Sequence, residues 1–419
     1  MDHSELHVPR GALNGVVTVG NFDGVHRGHQ QMLNTLRAIA GEHSAPAVVV
    51  TFDPHPLSIL RPDARFPRLT TIEHRTTLLR RYGADEVVIL PVTKSLLQMT
   101  ADEFFDRVLV RQLSAVGVVE GPNFRFGRDR AGDVYSLAKL CRKAGIAFRE
   151  IAAVENEGRL ISSSRIRTLL SQGMVSDAVA MTGHAHRISG VVSRGAGRGH
   201  QLGFPTANLD CIPTMLPTNG VYAGTAEIGG TRFEAAVSIG PNPTFDDNRL
   251  KVECHLDGFD SDLYDQRLDV DLLKEVRPLR SFDSIEALTQ QITADVEQCR
   301  IEISRLTKPV YKICSDTEWQ QAIAAGEFAG SSADLEDGFI HLSSAGQLNE
   351  TARRHFSGQA NLVLVEVDPI RLGSALKWEP SRGGDLFPHL YDRLPVDAAA
   401  KTTPLPWCGD TPDLHADCR

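Results

Sequence analysis

The sequence predicts three successive folds. An α/β domain with a doubly wound parallel sheet spans residues 1–182, an antiparallel β-barrel spans 183–307, and a small α+β domain spans 308–419. Three observations carry this. Strand-like and helix-like segments alternate through the first domain, the pattern of a parallel sheet. Past Gly183 short apolar runs are separated by Gly, Pro and Asp clusters, which suits an antiparallel barrel. Trp319, Trp378 and Trp407, all the tryptophans of the chain, lie after Lys308, a compositional break.

In the first domain, Val16 to Val19 is a run of four β-branched residues and reads as a buried strand. Gly20 and Gly24 punctuate the turn after it. Met32, Leu33, Leu36 and Ile39 then mark one face of a helix, with Gly41 as its stop. His26 and His29, three apart at the helix start, can point the same way. A helix N-terminus offers unpaired N–H groups and partial positive charge to phosphate, and Gly28 lets a ligand approach the backbone. Zinc is the rival reading of the two histidines, but no further Cys or His cluster lies near in sequence. A second strand, 47–52, ends at Asp53-Pro54-His55-Pro56, where the prolines forbid helix. There follow a helix over 72–82, a strand over 86–90, and a helix over 101–113 capped by Thr100. A strand over 116–120 with the loop 121–127, a helix over 134–144 and a fifth strand over 148–154 complete the sheet. The glycine-histidine turn, the Asp53 loop and the Asn123 loop should gather at its carboxyl edge. Ser162 to Ser164 can cap the helix that follows, and Arg167 adds a planar charged fork for phosphate oxygens. Taken alone, that segment is equally an ordinary serine cap.

In the barrel region, apolar segments recur at 191–192, 221–227, 233–239, 250–256 and 268–273, and a helix over 284–306 should close the domain. Gly195, Gly197 and Gly199, with Arg198 among them, form a flexible flap able to bring N–H groups to phosphates. Thr206 and Asn208, a hydroxyl and an amide oxygen two apart, suit a hard Mg²⁺ ion shared with ATP. Glu234, Glu253, Asp257 and Glu275 are candidate bases. Alternation puts Glu253 on the face of Lys251 and His255, opposite Val252 and Cys254, which by itself describes a solvent-facing strand.

The last segment reads as a strand from Tyr311, a helix over 317–325 ended by Gly326, a helix near 345–356 and a strand over 362–367. Polar residues cluster in its turns. The break at Lys308 implies that removing residues 308–419 leaves the preceding domains working.

The net charge of −9 over 419 residues argues against nucleic-acid binding as the main activity. No apolar run approaches a membrane span, and the polar first ten residues make no secretory signal. Seven scattered cysteines without a Cys-x-x-Cys pair indicate neither a disulfide framework nor a zinc knuckle. The expectation is a cytoplasmic protein acting on small molecules, without nucleic-acid or membrane partners.

The stretch Gly20 to His29 matches Gly-x-Phe-Asp-Gly-x-His-x-Gly-His residue for residue. It resembles the signature of nucleotidylyltransferases, in particular the bacterial bifunctional riboflavin kinase/FAD synthetase family. Ser162-Ser163-Ser164 with Arg167 resembles the second signature, with Ser164 in place of the usual Thr, and Gly203 to Asn208 resembles the Gly-Phe-Pro-Thr-Ala-Asn signature of riboflavin kinase. The resemblance, which covers residues 14 to about 305, implies a nucleotidyltransferase-type sheet and a kinase barrel. Riboflavin and ATP would give FMN, and FMN with a second ATP would give FAD and pyrophosphate. It assigns catalysis to His26, His29 and Glu253. ATP phosphates in the first domain fall to Gly20, Phe22, Asp23, Gly24, Gly28, Ser163, Ser164 and Arg167, and flavin or nucleotide to Asn123, Phe124 and Arg125. In the barrel it assigns ATP to Gly195, Gly197, Arg198, Gly199, Thr206 and Asn208, with Mg²⁺ on the last two. Besides Ser164, three positions depart from the family pattern: Asn123 where many relatives have Asp, His200 where relatives often have Arg, and Leu279 where the Leu-Arg-Pro-Glu turn has Glu. The last should remove a local contact of Arg277. Residues 308–419 resemble a poorly characterised bacterial domain family related to the ADP-ribosyltransferase fold, which makes His341, Glu379, Arg382, His389 and Tyr391 candidate site residues. A structural or docking role competes with that reading. For the whole chain, the competing readings are a regulatory flavin or nucleotide binder with a dead site, and a nucleotidylyltransferase for pantetheine phosphate or nicotinate mononucleotide.

Overall fold

The computed structural model describes residues 8–61, 63, 66–152, 155–156, 159–195, 197–242, 247–381, 384–408 and 411–412. The chain divides into two compact units, Met1–Thr168 with Pro213–Met215, and Leu169–Ile212 with Leu216–Arg419.

The main sheet of the first unit has five strands: β1 (Val16–Val19), β2 (Ala47–Asp53), β3 (Glu86–Pro91), β4 (Gly117–Glu120) and β5 (Ala147–Glu150). Their order is β3-β2-β1-β4-β5 and every pairing is parallel. Pleating sends alternate residues to opposite faces. Val17, Val19, Val48 and Val50 pack with Phe104 and Leu109 on one side. Val16, Val49 and Val87 pack with Leu33, Leu36 and Leu79 on the other. Its longer helices include α1 (Arg27–Glu42), α2 (Ile72–Arg81), α3 (Val134–Ala144) and α4 (Ser163–Ser171), which runs on into the second unit. Gly41 does not stop α1, which runs through it to Glu42. Thr100 caps as expected, in a reciprocal box with Glu103. The helix behind it, however, widens to π-helical winding over Phe105–Gln112, which periodicity over two turns does not distinguish. The fifth strand ends at Glu150 rather than 154, and Val154 lies outside the described residues.

The second unit opens with α5 (Val175–Thr182) and a closed barrel. Its strands are β6 (His186–Ser193), β7 (Ala207–Asp210), β8 (Gly220–Ile228), β9 (Thr231–Asn242), β10 (Asp247–Leu256) and β11 (Arg267–Pro278). They run β6-β7-β10-β9-β8-β11 and close onto β6, all antiparallel. The short β7, with Asn208 and Asp210 in four residues, carries no strand signal in sequence; pairing to both neighbours makes it one. The helix α6 (Ile285–Thr307), capped by Ser284, covers Val221, Ala223 and Leu273 with Cys299, Ile303 and Leu306. It also sets two buried carboxylates against the barrel: Asp295 takes a bidentate pair from Arg277 at 2.8 and 2.6 Å, and Glu302 takes Lys274 at 2.7 Å.

Beyond α6 lie β12 (Val310–Ser315), β13 (Ile340–His341), β14 (Leu362–Val367), β15 (Leu376–Pro380), β16 (Leu386–Leu390) and β17 (Ala399–Pro404). They form antiparallel sheets β12-β14-β17 and β13-β16-β15 around the buried Trp319. Three helices accompany them, α7 (Asp316–Ala325), α8 (Ser332–Asp337) and α9 (Leu348–Phe356), with Gly326 closing α7 at φ +84°. The compositional break at Lys308 is not a structural one. Ile370 joins the apolar cluster on α6, the Ser374 N–H donates to the Asp177 carboxylate of α5 at 2.9 Å, and Arg305 of α6 lies 5.4 Å over the Trp378 ring. No helix among the described residues is long and apolar enough to cross a membrane.

Candidate functional site

The turn between β1 and α1 is held in a conformation that side chains avoid. Phe22 (φ +48°), Gly24 (φ +83°) and Val25 (φ +35°) all lie in left-handed backbone space, and for a β-branched residue this is rare. Such strain persists only where the surroundings fix it. Asp23, 2% exposed, does so: its carboxylate accepts from the N–H groups of Leu69 and Thr70 at 3.0 Å each, the Thr70 hydroxyl at 3.0 Å, Arg75 at 3.1 Å, and Arg167. Burial opposes its ionisation, but Arg75, the Leu69 N–H and Arg167 outweigh it and hold the carboxyl below its ordinary range. These bonds engage both carboxylate oxygens and make Asp23 an anchor of the turn. A Cβ at Gly24 would stand 2.8 Å from Leu69, so only glycine closes the turn.

His26 is the N-cap residue of α1, and its ring stacks on His29 with centroids 3.6 Å apart. A Cβ at Gly28 would come within 3.2 Å of His26 Nδ1. Phe22 meets His29 edge-on at 5.0 Å. His29 Nδ1 and Asn21 Oδ1 are buried without a hydrogen-bond partner among the described residues, in a molecule where such groups are normally paired. Burial, then His26 and Arg75, push the His29 imidazole well below its ordinary pKa. At neutral pH it is an uncharged imidazole.

Ser163 opens α4 and its hydroxyl donates to the Asp23 carbonyl at 2.8 Å, while Ser162 accepts from the Arg165 N–H at 3.2 Å; Ser164 is exposed. Arg167 donates to the Pro67 carbonyl at 2.8 Å and lies 4.3 Å over Phe66, on which His55 also stacks at 4.4 Å. Asn123 is exposed in the loop beyond β4, Phe124 stacks on Phe126 at 5.4 Å, and Arg125 pairs with Asp133 at 3.1 Å on the surface. Sequence reasoning missed Asn21, Phe66, Thr70, Arg75 and Glu120. Glu120 ends β4 and accepts the Val19 N–H at 2.7 Å; burial pushes its carboxyl well above the ordinary range, so it clamps two strand ends as a neutral group. Of these five, Asn21 alone lay inside a recognised motif.

In the barrel, the glycine flap sits directly on the two oxygen donors. A Cβ at Gly195 would stand 2.3 Å from the Asn208 amide nitrogen, and one at Gly199 2.9 Å from the Thr206 hydroxyl. Gly197 turns at φ +69° in open space. Register sets Glu253 of β10 opposite Asn208 on one side and Ser238 on the other. A cavity of about 150 Å³ opens over this face, lined among others by Gly199, Phe204, Thr206, Lys251, Glu253 and Arg277. The face is thus not simply solvated, as alternation alone suggested: residues 199–206 and α6 roof it. His255 meets the Pro205 carbonyl at 2.9 Å and Phe204 at 5.6 Å, pinning that roof. Arg198 begins a short helix, Arg198–Gln201, and His200 is exposed. Arg277 keeps an acid partner despite Leu279, because Asp295 of α6 supplies it, and Leu279 lines the cavity instead. The hydroxyl and amide oxygens of Thr206 and Asn208 are the donor chemistry that a hard divalent cation takes.

In the last domain, His341, Glu379, His389 and Tyr391 come together, and Arg382 lies outside the described residues.

Three family models match the chain. FAD synthetase matches residues 9–165, riboflavin kinase matches 182–303, and a protein of unknown function (DUF952) matches 313–402. The bifunctional riboflavin kinase/FMN adenylyltransferase of Pseudomonas fluorescens is 37% identical over 286 residues, 68% of this chain and 92% of that protein. The chain belongs to the bifunctional riboflavin kinase/FMN adenylyltransferase family. Its Escherichia coli relative of the same name is 34% identical over 295 residues, 70% of this chain and 94% of that protein. A solved structure from Streptococcus pneumoniae, described as a macrolide-efflux protein, matches at 31% identity with a TM-score of 0.64, covering 71% of this chain and 96% of that one. In the family, then, the strained turn and the glycine flap belong to separate modules.

Proposed function

We propose that this chain makes FMN and then FAD, with residues 183–307 as the riboflavin kinase module and residues 1–182 as the FMN adenylyltransferase module. Residues 308–419 stand apart from both reactions. The observation that carries the kinase reading is Glu253 in register with Asn208, beside Thr206, under glycines that leave no room for a β-carbon. The 5′-hydroxyl of riboflavin is neutral and needs its proton taken as the oxygen bonds to the γ-phosphorus and ADP leaves; Glu253 is the acceptor. Backbone N–H groups of Gly195, Gly197 and Gly199 hold the phosphates. Thr206 and Asn208 would hold Mg²⁺, which neutralises phosphate charge when bound.

The second reaction needs no base. The FMN phosphate is already ionised; its oxygen bonds to the α-phosphorus of ATP and pyrophosphate leaves, so alignment and charge stabilisation do the catalysis. The α1 N-terminus, His26, the uncharged His29 and Arg167 face that demand. Purified protein incubated with riboflavin, ATP and Mg²⁺, with products resolved by chromatography, tests both assignments. His29→Ala should stop at FMN. Glu253→Gln should make no FMN yet still convert supplied FMN to FAD. Equal loss of both steps in both variants would refute the two-site assignment, and a regulatory flavin binder would yield neither product.

A further inference from the structure

The outward face of the sheet β13-β16-β15 is built like a site and serves neither reaction. Direct pairing sets Lys377, His389 and His341 side by side on three strands, so their side chains leave one face. With strands about 4.8 Å apart, the row is roughly 10 Å wide. The other face sends Ile340, Leu376 and Leu390 into the core.

Both imidazoles are aimed from behind. Asp334 meets His341 Nδ1 at 2.8 Å and Glu379 meets His389 Nδ1 at 3.1 Å. Asp334, itself buried, also takes Lys312 at 2.6 Å, the N–H and hydroxyl of Ser331 at 2.8 Å each, and the His341 N–H at 2.9 Å. A buried ion pair adds little net stability, but here it fixes one half-exposed ring. Glu379 also takes the Tyr391 hydroxyl at 2.8 Å. Phe339 stacks on His389 at 4.3 Å and borders His341 at 4.7 Å and Tyr391 at 5.3 Å. The rings of His341 and His389 are 5.7 Å apart, and the Lys377 ammonium lies 4.3 Å over Tyr391.

With Nδ1–H given to a carboxylate, each ring can donate from Nε2 only when protonated on both nitrogens, the form that a bound phosphate anion favours; the His341 ring is half-exposed, whereas His389 is only 7% exposed. His389 Nε2 hydrogen-bonds nothing among the described residues, and His341 Nε2 meets Asp337 at 3.3 Å, a surface pair of the kind that contributes little and yields to an incoming anion. No three His, Cys, Asp or Glu side chains among the described residues converge as metal ligands. An ammonium and two imidazole edges in a row, flanked by aromatic rings, complement phosphate oxygens carried on a larger group.

We propose that this face binds a phosphorylated ligand, an ester or an anhydride, with Lys377, His389 and His341 on the phosphate oxygens and Phe339 and Tyr391 flanking it. The full chain carrying ¹⁵N-labelled histidine side chains tests this by NMR titration with inorganic pyrophosphate and, separately, ribose 5-phosphate. His341→Gln and His389→Gln assign the two ring signals. Both signals should shift along one saturable curve with at least one probe, and the better probe separates anhydride from ester. Lys377→Gln should weaken that curve about tenfold and Lys377→Arg should restore it, with near-ultraviolet circular dichroism of the buried Trp319 reporting the fold. Static rings with both probes, an unsaturating drift that marks an adventitious ion only, or a curve indifferent to Lys377→Gln would each overturn the proposal.

Discussion

His55 shows what burial does to a single side chain in this molecule. It caps the short helix Pro56–Leu60 by accepting the Leu57 N–H at 3.1 Å, and burial, opposed by Asp23 and reinforced by Arg167 and Arg75, lowers its pKa from 6.5 to about 4. An unfolded chain takes up that proton below pH 6.5, the folded one only below about 4. Stability is therefore full above pH 6.5 and lost as pH falls toward 4, by on the order of 3 kcal/mol for this one group. His29, also lowered, adds a term of the same sign. His55→Asn, which keeps a capping side chain, should flatten the fall of the first unit's melting temperature between pH 6.5 and 4; an unchanged slope would place the acid sensitivity elsewhere. At this scale the sequence was informative where function is local. His26, His29 and Gly28 were legible because one turn holds them all. Arg75 and Thr70 were not, because they reach Asp23 across 52 and 47 residues and carry no motif of their own.

In the barrel, a loop next to a regular element does the positioning. The 195–199 flap works because its glycines lie against the Asn208 and Thr206 side chains, while Gly197 between them faces open space. Gly195→Ala must displace the Asn208 amide and should slow FMN formation at least tenfold, about 1.4 kcal/mol. FMN-to-FAD conversion should be unaffected. Gly197→Asn, a residue that tolerates left-handed backbone, should leave both steps near normal, and assaying the two variants side by side separates lost space from lost flexibility. Most helices and long strands were legible from periodicity. The strand β7 and the π-helical turn were not: one exists through pairing to β6 and β10, and the other through winding that periodicity averages away. The Leu279 departure was legible as a loss, but its replacement by Asp295 depends on how α6 packs on the barrel.

For the second unit as a whole, the last domain is part of the barrel's support. Ile370 shares a core with Cys299, Ile303 and Leu306 of α6, and Asp177 of α5 accepts the Ser374 N–H. A chain ending at Thr307 should therefore keep both activities in the cold yet lose riboflavin phosphorylation at a lower temperature than the full chain, with the adenylyl transfer unaffected. Ile370→Ala should reproduce part of that loss, about 2 kcal/mol in thermal unfolding. Equal melting of full and shortened chains would mean the docking contributes nothing. The sequence by itself determined the fold classes, written in β-branched runs and in the alternation of strand and helix, and its motifs at Gly20–His29 and Gly203–Asn208 carried the resemblance that implied the paired flavin chemistry. Only the tertiary structure decided that Asp23 is held by Arg75, Thr70 and Arg167, that His29 is uncharged, that the face of Glu253 is roofed, and that the last domain is welded to α6. Burial and charge pairing are properties of neighbours in space, and no local pattern carries them.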